Sequence, residues 1–134
     1  NRFLGFRFLC ADDEAVHLAL DPRLEFTQNA GFIQGGILAA LADLTAAYAV
    51  WPRRPAGHTM LGMEFKMNFL RPARLEAGEI RASGRCAHAG QRTAVATIEL
   101  SQGGKPVALG TFSFVFLPQE SCSAIGRTGD EDTS

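Results

Sequence analysis

Three features near the start of the chain carry residue types that could do chemistry together. The first is the amide pair Gln28-Asn29. The second is the turn Gln34-Gly35-Gly36, where an apolar stretch begins. The third is Asp43, the only charged residue in that stretch, GGILAALADLTAAYAVW from Gly35 to Trp51. If the stretch is a helix, its first N–H groups are unpaired and its N-terminus is partly positive. Two glycines there let a ligand come close to the backbone. Such a site suits a carbonyl oxygen that becomes an oxyanion. A carboxylate among apolar neighbours is costly unless it is paired or used, and perturbed acids in clefts are typical bases or nucleophiles.

Each feature also has a plainer reading. Gly35-Gly36 alone could simply allow a tight passage from loop to helix. Asp43 alone could be a structural acid that accepts hydrogen bonds from the backbone, Thr45 or Tyr48. Spacing adds a further constraint. Asp43 lies eight residues beyond Gly35, roughly 12 Å along a helix axis at 1.5 Å per residue. One carbonyl carbon cannot touch both groups of one helix. Two antiparallel helices across a twofold axis would set each N-terminus opposite the other's Asp43. That arrangement puts the site between subunits.

These residues need elements to hold them. Arg2 to Cys10 alternates weakly and is rich in Phe, which predicts a strand. Val16, Leu18 and Leu20 share one face of a second strand within Glu14 to Leu20, and Leu24 to Gln28 reads as a short extended piece. Asn29 to Gly36 (NAGFIQGG) is a loop. The Ala- and Leu-rich run from Gly35 to Trp51 is a helix, stopped at Pro52. A helix apolar almost all round must be buried on most sides. Four strands follow at Thr59 to Leu70, Glu79 to His88, Thr93 to Ser101 and Pro106 to Leu117. Met60, Met63, Phe65, Met67 and Phe69 read as the core face of the first of these four. Ala89-Gly90 and Gly103-Gly104 read as hairpin turns. The expected fold is α+β: a curved antiparallel sheet wrapped around one long central helix, the hotdog architecture. One domain over residues 1–117 is predicted, with 118–134 a polar, disordered tail. Uncovered sheet edges favour a homodimer or homotetramer.

The segment NAGFIQGGILAALADLTAAYA resembles the hotdog-fold acyl-CoA thioesterases of the phenylacetic-acid-degradation type, similar to 4-hydroxybenzoyl-CoA thioesterases. Their pattern is an Asn, a Gly a few residues on, then HGG or QGG, and an acid about eight residues into the helix. FLRPARLEAGEIRASGRCAHAGQRTAVATIEL resembles the same family in its R-P-A turn, its G-x-L/I-x-A-x-G strand and its A-G hairpin. The resemblance covers about Ala30 to Phe116. It implies that Gly35 is the oxyanion-type backbone donor. Asp43 is then the nucleophile or general base, and Gln28 or Asn29 orients the thioester or water. Arg71, Arg74, Arg85 and Arg92 follow the family's strand and turn region, though any single one reads better as a solvated surface arginine. Arg71 and Arg92, with Gln34 and Gly36, are the expected substrate contacts. Gln34 stands where many members have His. Gly62 stands where some carry a Ser or Thr that helps hold the water.

Composition narrows the remaining classes. A net charge of −1 gives no general attraction to nucleic acid. Cys10, Cys86 and Cys122, like His17, His58 and His88, are scattered, so no metal site is expected. No cofactor is expected beyond the coenzyme A of the substrate. No run of 18 apolar residues is free of charge and proline, so no membrane span is expected. Reduced cysteines suit a cytoplasmic protein. Two other readings stand beside a thioesterase: a hotdog hydratase or dehydratase, disfavoured because no His lies near the glycine turn, and a non-catalytic acyl-CoA-binding module.

Overall fold

The computed structural model describes residues 4–119. Six strands form one antiparallel sheet: β1 (Phe6–Ala11), β2 (Val16–Leu20), β3 (His58–Phe69), β4 (Ile80–Ala89), β5 (Thr93–Gln102) and β6 (Lys105–Pro118). Their order across the sheet is β1-β2-β4-β5-β6-β3. The one long helix among the described residues, α1 (Gly35–Val50), packs on the sheet over β2, β4 and β5. This is the hotdog fold.

Tight turns set the register. Gly103 and Gly104 both have positive φ, 61° and 76°, and join Gln102 to Lys105 as a two-residue hairpin. Two left-handed residues match the twist of the strands they join, and glycine takes that conformation without a steric penalty. The link from β3 to β4 is different. It spans residues 70–79 and crosses the sheet, because β3 pairs with β6 and β4 lies between β2 and β5. Buried Gln102 clamps this crossing: its Oε1 accepts from Arg74 N–H at 2.9 Å, and its Nε2 donates to the carbonyls of Arg74 and Gly78, both at 2.8 Å.

The core forms where one side of α1 meets the sheet. Leu38, Leu41, Ala42, Ala46 and Val50 are buried against Leu18, Leu20, Ile80, Ile98, Leu100, Phe112 and Phe114. Gly84 lets the helix sit close, since a Cβ there would lie 2.6 Å from Ile98 Cδ1 and 2.8 Å from Thr45 Cγ2. By length and composition alone, the 19 residues Gly35–Arg53 could cross a membrane. Their packing makes them the core helix of this domain. The helix ends where Pro52 enters a 3-10 turn, Trp51–Arg53, and the Arg54 guanidinium lies 3.6 Å from the Trp51 ring centre.

Five expectations need correction. Leu24–Phe26 is a 3-10 turn rather than an extended piece. The first strand starts at Phe6, after a turn at Leu4-Gly5. The helix is covered on one side only; Asp43 and Tyr48 face out of the single chain. Most of the predicted core face of β3 is also open, with Met63 at 52%, Phe65 at 57% and Phe69 at 53% exposure, because β3 is an edge strand. The last strand runs one residue further than expected, through Pro118, and Gln119 N–H donates to the Gly57 carbonyl. The rest of the predicted tail lies outside the described residues.

Candidate active site

The loop before α1 is tied down on both sides. Gln28 N–H donates to the Phe32 carbonyl, and Gly31 N–H to the Gln28 carbonyl. The result is a turn with Asn29 and Ala30 at its apex and Gly31 at φ 80°. Ile33 N–H donates to the Ala73 carbonyl and Gln34 N–H to that of Phe26. The chain is therefore fixed when it enters the helix. Gln34 is the extended residue before the first turn (φ −62°, ψ 139°), and its carbonyl accepts from Ile37 and Leu38 N–H. The N–H groups of Gly35 and Gly36 have no acceptor among the described residues. They are the free donors expected of a helix start.

Five of the eight predicted residues line two recesses at this N-terminus. One, of about 420 Å³, is lined by Gln28, Phe32, Gly35, Phe69, Arg71 and neighbours. Gly35 is closely covered there: a Cβ would lie 3.2 Å from Phe69 Cζ. The other, of about 590 Å³, is lined by Gly36, Ala39, Ala40, Asp43, Gly62, Met63, Glu64, Phe65, Phe112, Ser113 and Phe114. Gly35 and Asp43 thus line separate recesses of one chain. Asn29, Gln34 and Arg92 line neither. Asn29 sits at the turn apex, and Gln34 turns its amide back to the Thr27 carbonyl at 3.3 Å. Arg92 lies in the β4–β5 turn, its carbonyl taking the Phe116 N–H. Arg74 stacks on Phe32 at 4.9 Å, and Arg85 lines a separate recess beside Asp12 and Glu14. The sequence offered the Met63 and Phe65 face as a pocket wall only by extension of a core face, and gave no sign of Phe112 beside it. Phe65 and Phe112 are in register on neighbouring strands, and their rings stack at 5.0 Å and 7°.

The structural readings of Asp43 find no support in its surroundings. Buried Thr45 donates to the Leu41 carbonyl at 2.7 Å, and Tyr48 packs on Phe8 with ring centres 5.2 Å apart. Asp43 has no hydrogen bond or ion pair among the described residues. Partial burial against apolar walls pushes its pKa above the ordinary carboxylate value. The folded state therefore holds a proton over a pH window where the unfolded chain has lost it. Protons bound then favour the folded state, so stability falls as pH rises through that window. Asn does not titrate. Asp43→Asn is expected to melt higher than wild type at neutral pH, with the gap closing on acidification below the ordinary carboxylate value. Thermal scans at fixed protein concentration check this, and a lower melting temperature at neutral pH would contradict it.

Among the described residues, no cluster of His, Cys, Asp and Glu could hold a metal ion. Comparison with known proteins then identifies the class. The fold is shared with solved structures that include thioesterases. One is a mutant thioesterase from Pseudomonas aeruginosa, 28% identical over 87% of this chain and 84% of that one, with a TM-score of 0.81. Another is a thioesterase family protein from Silicibacter pomeroyi, 25% identical over 87% and 88%, with a TM-score of 0.79. A third is a mutant of the phenylacetic acid degradation protein PaaI from Thermus thermophilus, 29% identical over 85% and 95%, with a TM-score of 0.76. No curated protein sequence matches the chain. Residues 30–109 match the model of the thioesterase superfamily. The chain belongs to that superfamily, and its reaction class is hydrolysis of thioester bonds.

Proposed function

We propose that the protein hydrolyses an acyl- or aroyl-CoA thioester at a site shared between two copies of the chain. The observation that carries this reading is the separation of Gly35 and Asp43 into different recesses of one helix, each with half of the needed chemistry. In the shared site, Gly35 N–H of one copy polarises the thioester carbonyl and Gln28 orients the thioester or the water. Asp43 of the other copy attacks the carbonyl carbon, or takes a proton from the attacking water. The C–S bond breaks and coenzyme A leaves as the thiol. Gly36 keeps the approach to Asp43 open, and Arg71, at the rim of the Gln28 recess, meets a phosphate of the coenzyme. Gln34 supports the turn through Thr27 in this reading, and Arg92 is a more distant phosphate contact.

Assembly follows from the same surfaces. β3 is a twelve-residue edge strand with Leu61, Met63, Phe65 and Phe69 each more than half exposed. A long apolar edge is a liability unless it is covered. A second copy covers it, giving a homodimer or a dimer of dimers. Cys10 and Cys86 are free thiols, which suits a cytoplasmic protein. The test combines a coloured assay of free thiol over a panel of acyl-CoAs with sedimentation at the assay concentration. Thiol release by a dimer or tetramer is the expected result. An active monomer would rule out the shared site, and tight acyl-CoA binding without thiol release would mark a binding module.

A further inference from the structure

Gly62 lies in the middle of β3, where glycine weakens a strand and needs a reason. Neither usual reason applies. Its φ is not in the left-handed region, so the backbone does not demand glycine. The ladder does shift between Gly62 and Glu64, but a bulge that requires glycine places it at positive φ. Packing within the chain does not demand it either: a Cβ at Gly62 would meet no atom within 4 Å. Gly110 on the neighbouring strand is the contrast. A Cβ there would lie 2.5 Å from Met67 Sδ and 3.0 Å from Phe112 Cε1.

The space that Gly62 leaves is the Asp43 recess. Gly62 is in register with Phe114, whose ring is buried in the core, and both line the recess with Asp43, Met63, Phe65 and Phe112. At about 590 Å³ its volume is in the range of small-molecule sites. Its walls are mostly apolar; Asp43, Glu64 and Ser113 are the polar residues among them. We infer that Gly62 sets the size of the acyl group: the apolar part of the thioester's acyl chain lies across the bare Cα of Gly62 and against Phe65. This inference rests on the proposed hydrolysis at Asp43. It implies a substrate whose acyl group is a bulky apolar one rather than acetyl.

Gly62→Ala, Gly62→Val and Gly62→Leu test it in the full chain, using acetyl-, butanoyl-, octanoyl- and benzoyl-CoA. Wild type should favour the larger groups. The ratio of octanoyl to acetyl kcat/KM should fall stepwise with side-chain size, by at least about tenfold in Gly62→Val, as for other changes of a few carbons in an apolar pocket. Gly62→Ala serves if the larger variants do not fold. An unchanged ratio in folded variants would overturn the inference. So would loss of the oligomer, because the gap would then serve the subunit contact. If wild type releases no thiol from any thioester, the hydrolase reading fails on its own. Calorimetry with non-hydrolysable octanoyl and acetyl thioethers of CoA then decides the size question, the octanoyl compound losing more affinity than the acetyl one if Gly62 faces the acyl chain.

Discussion

Asp43→Asn is expected to fold and assemble like wild type and to lose at least about a hundredfold in turnover, the usual scale for removing a general base. The substitution keeps the shape of the side chain and replaces one acceptor oxygen by a donor. A structural acid would tolerate it, especially one with no hydrogen bond or ion pair among the described residues. A nucleophile or base would not, because the amide has no negative charge and takes no proton near neutral pH. The raised pKa of Asp43 adds a signature. The working form is the carboxylate, so wild-type kcat/KM should fall on acidification at a pH above the ordinary carboxylate range. The residual activity of Asp43→Asn should lack that inflection. CoA affinity should change much less, since the phosphate contacts lie elsewhere.

Mixed subunits test the division of the site. Chains carrying Asp43→Asn can be combined with chains crippled at the glycine turn by a bulky residue at Gly35, where even a Cβ would press on the Phe69 ring at 3.2 Å. In a hybrid dimer, one of the two sites contains both intact groups. Activity should therefore return on mixing, up to about half of the wild-type sites per hybrid. Near wild-type turnover by folded Asp43→Asn, or no recovery in verified hybrids, would end this mechanism.

The helix and the two hairpins could be read directly because their signals are local. An unbroken Ala-Leu run, a proline stop and a Gly-Gly pair each act within a few residues. The place of β3 could not be read that way. Its alternation of Met63, Phe65 and Phe69 is the pattern of a strand with an apolar face, whether that face meets its own core or a second chain. Strand order was equally hidden, since the 70–79 crossing is held by Gln102, 24 to 28 positions away from the groups it binds. Asp43 stood out as a charge in an apolar run, but its solvent exposure depends on which side of α1 the sheet covers. The candidate substrate contacts were visible only as residue types. The recesses separate Arg71, which faces Gln28 and Gly35, from Arg92, which does not.

The same loop geometry separates the two amides. Gln28→Ala is expected to lower turnover by roughly one to three decades, the range seen when a single polarising donor is lost. Asn29→Ala is expected to stay within about threefold of wild type. Gln28 lines the recess that contains Gly35 and Arg71, whereas Asn29 projects from the turn apex and lines neither recess. The backbone of Gln28 is pinned by its N–H to the Phe32 carbonyl and by its own carbonyl to Gly31 N–H. Truncating the side chain therefore removes the amide without releasing the loop, and melting temperature should barely move. An amide that aligns the thioester acts mainly as the carbonyl oxygen gains charge, so kcat should fall more than KM rises. Full activity in Gln28→Ala would remove this residue from the site. A large loss in Asn29→Ala with Gln28→Ala intact would mean that the turn rearranges when the second copy and the substrate are in place.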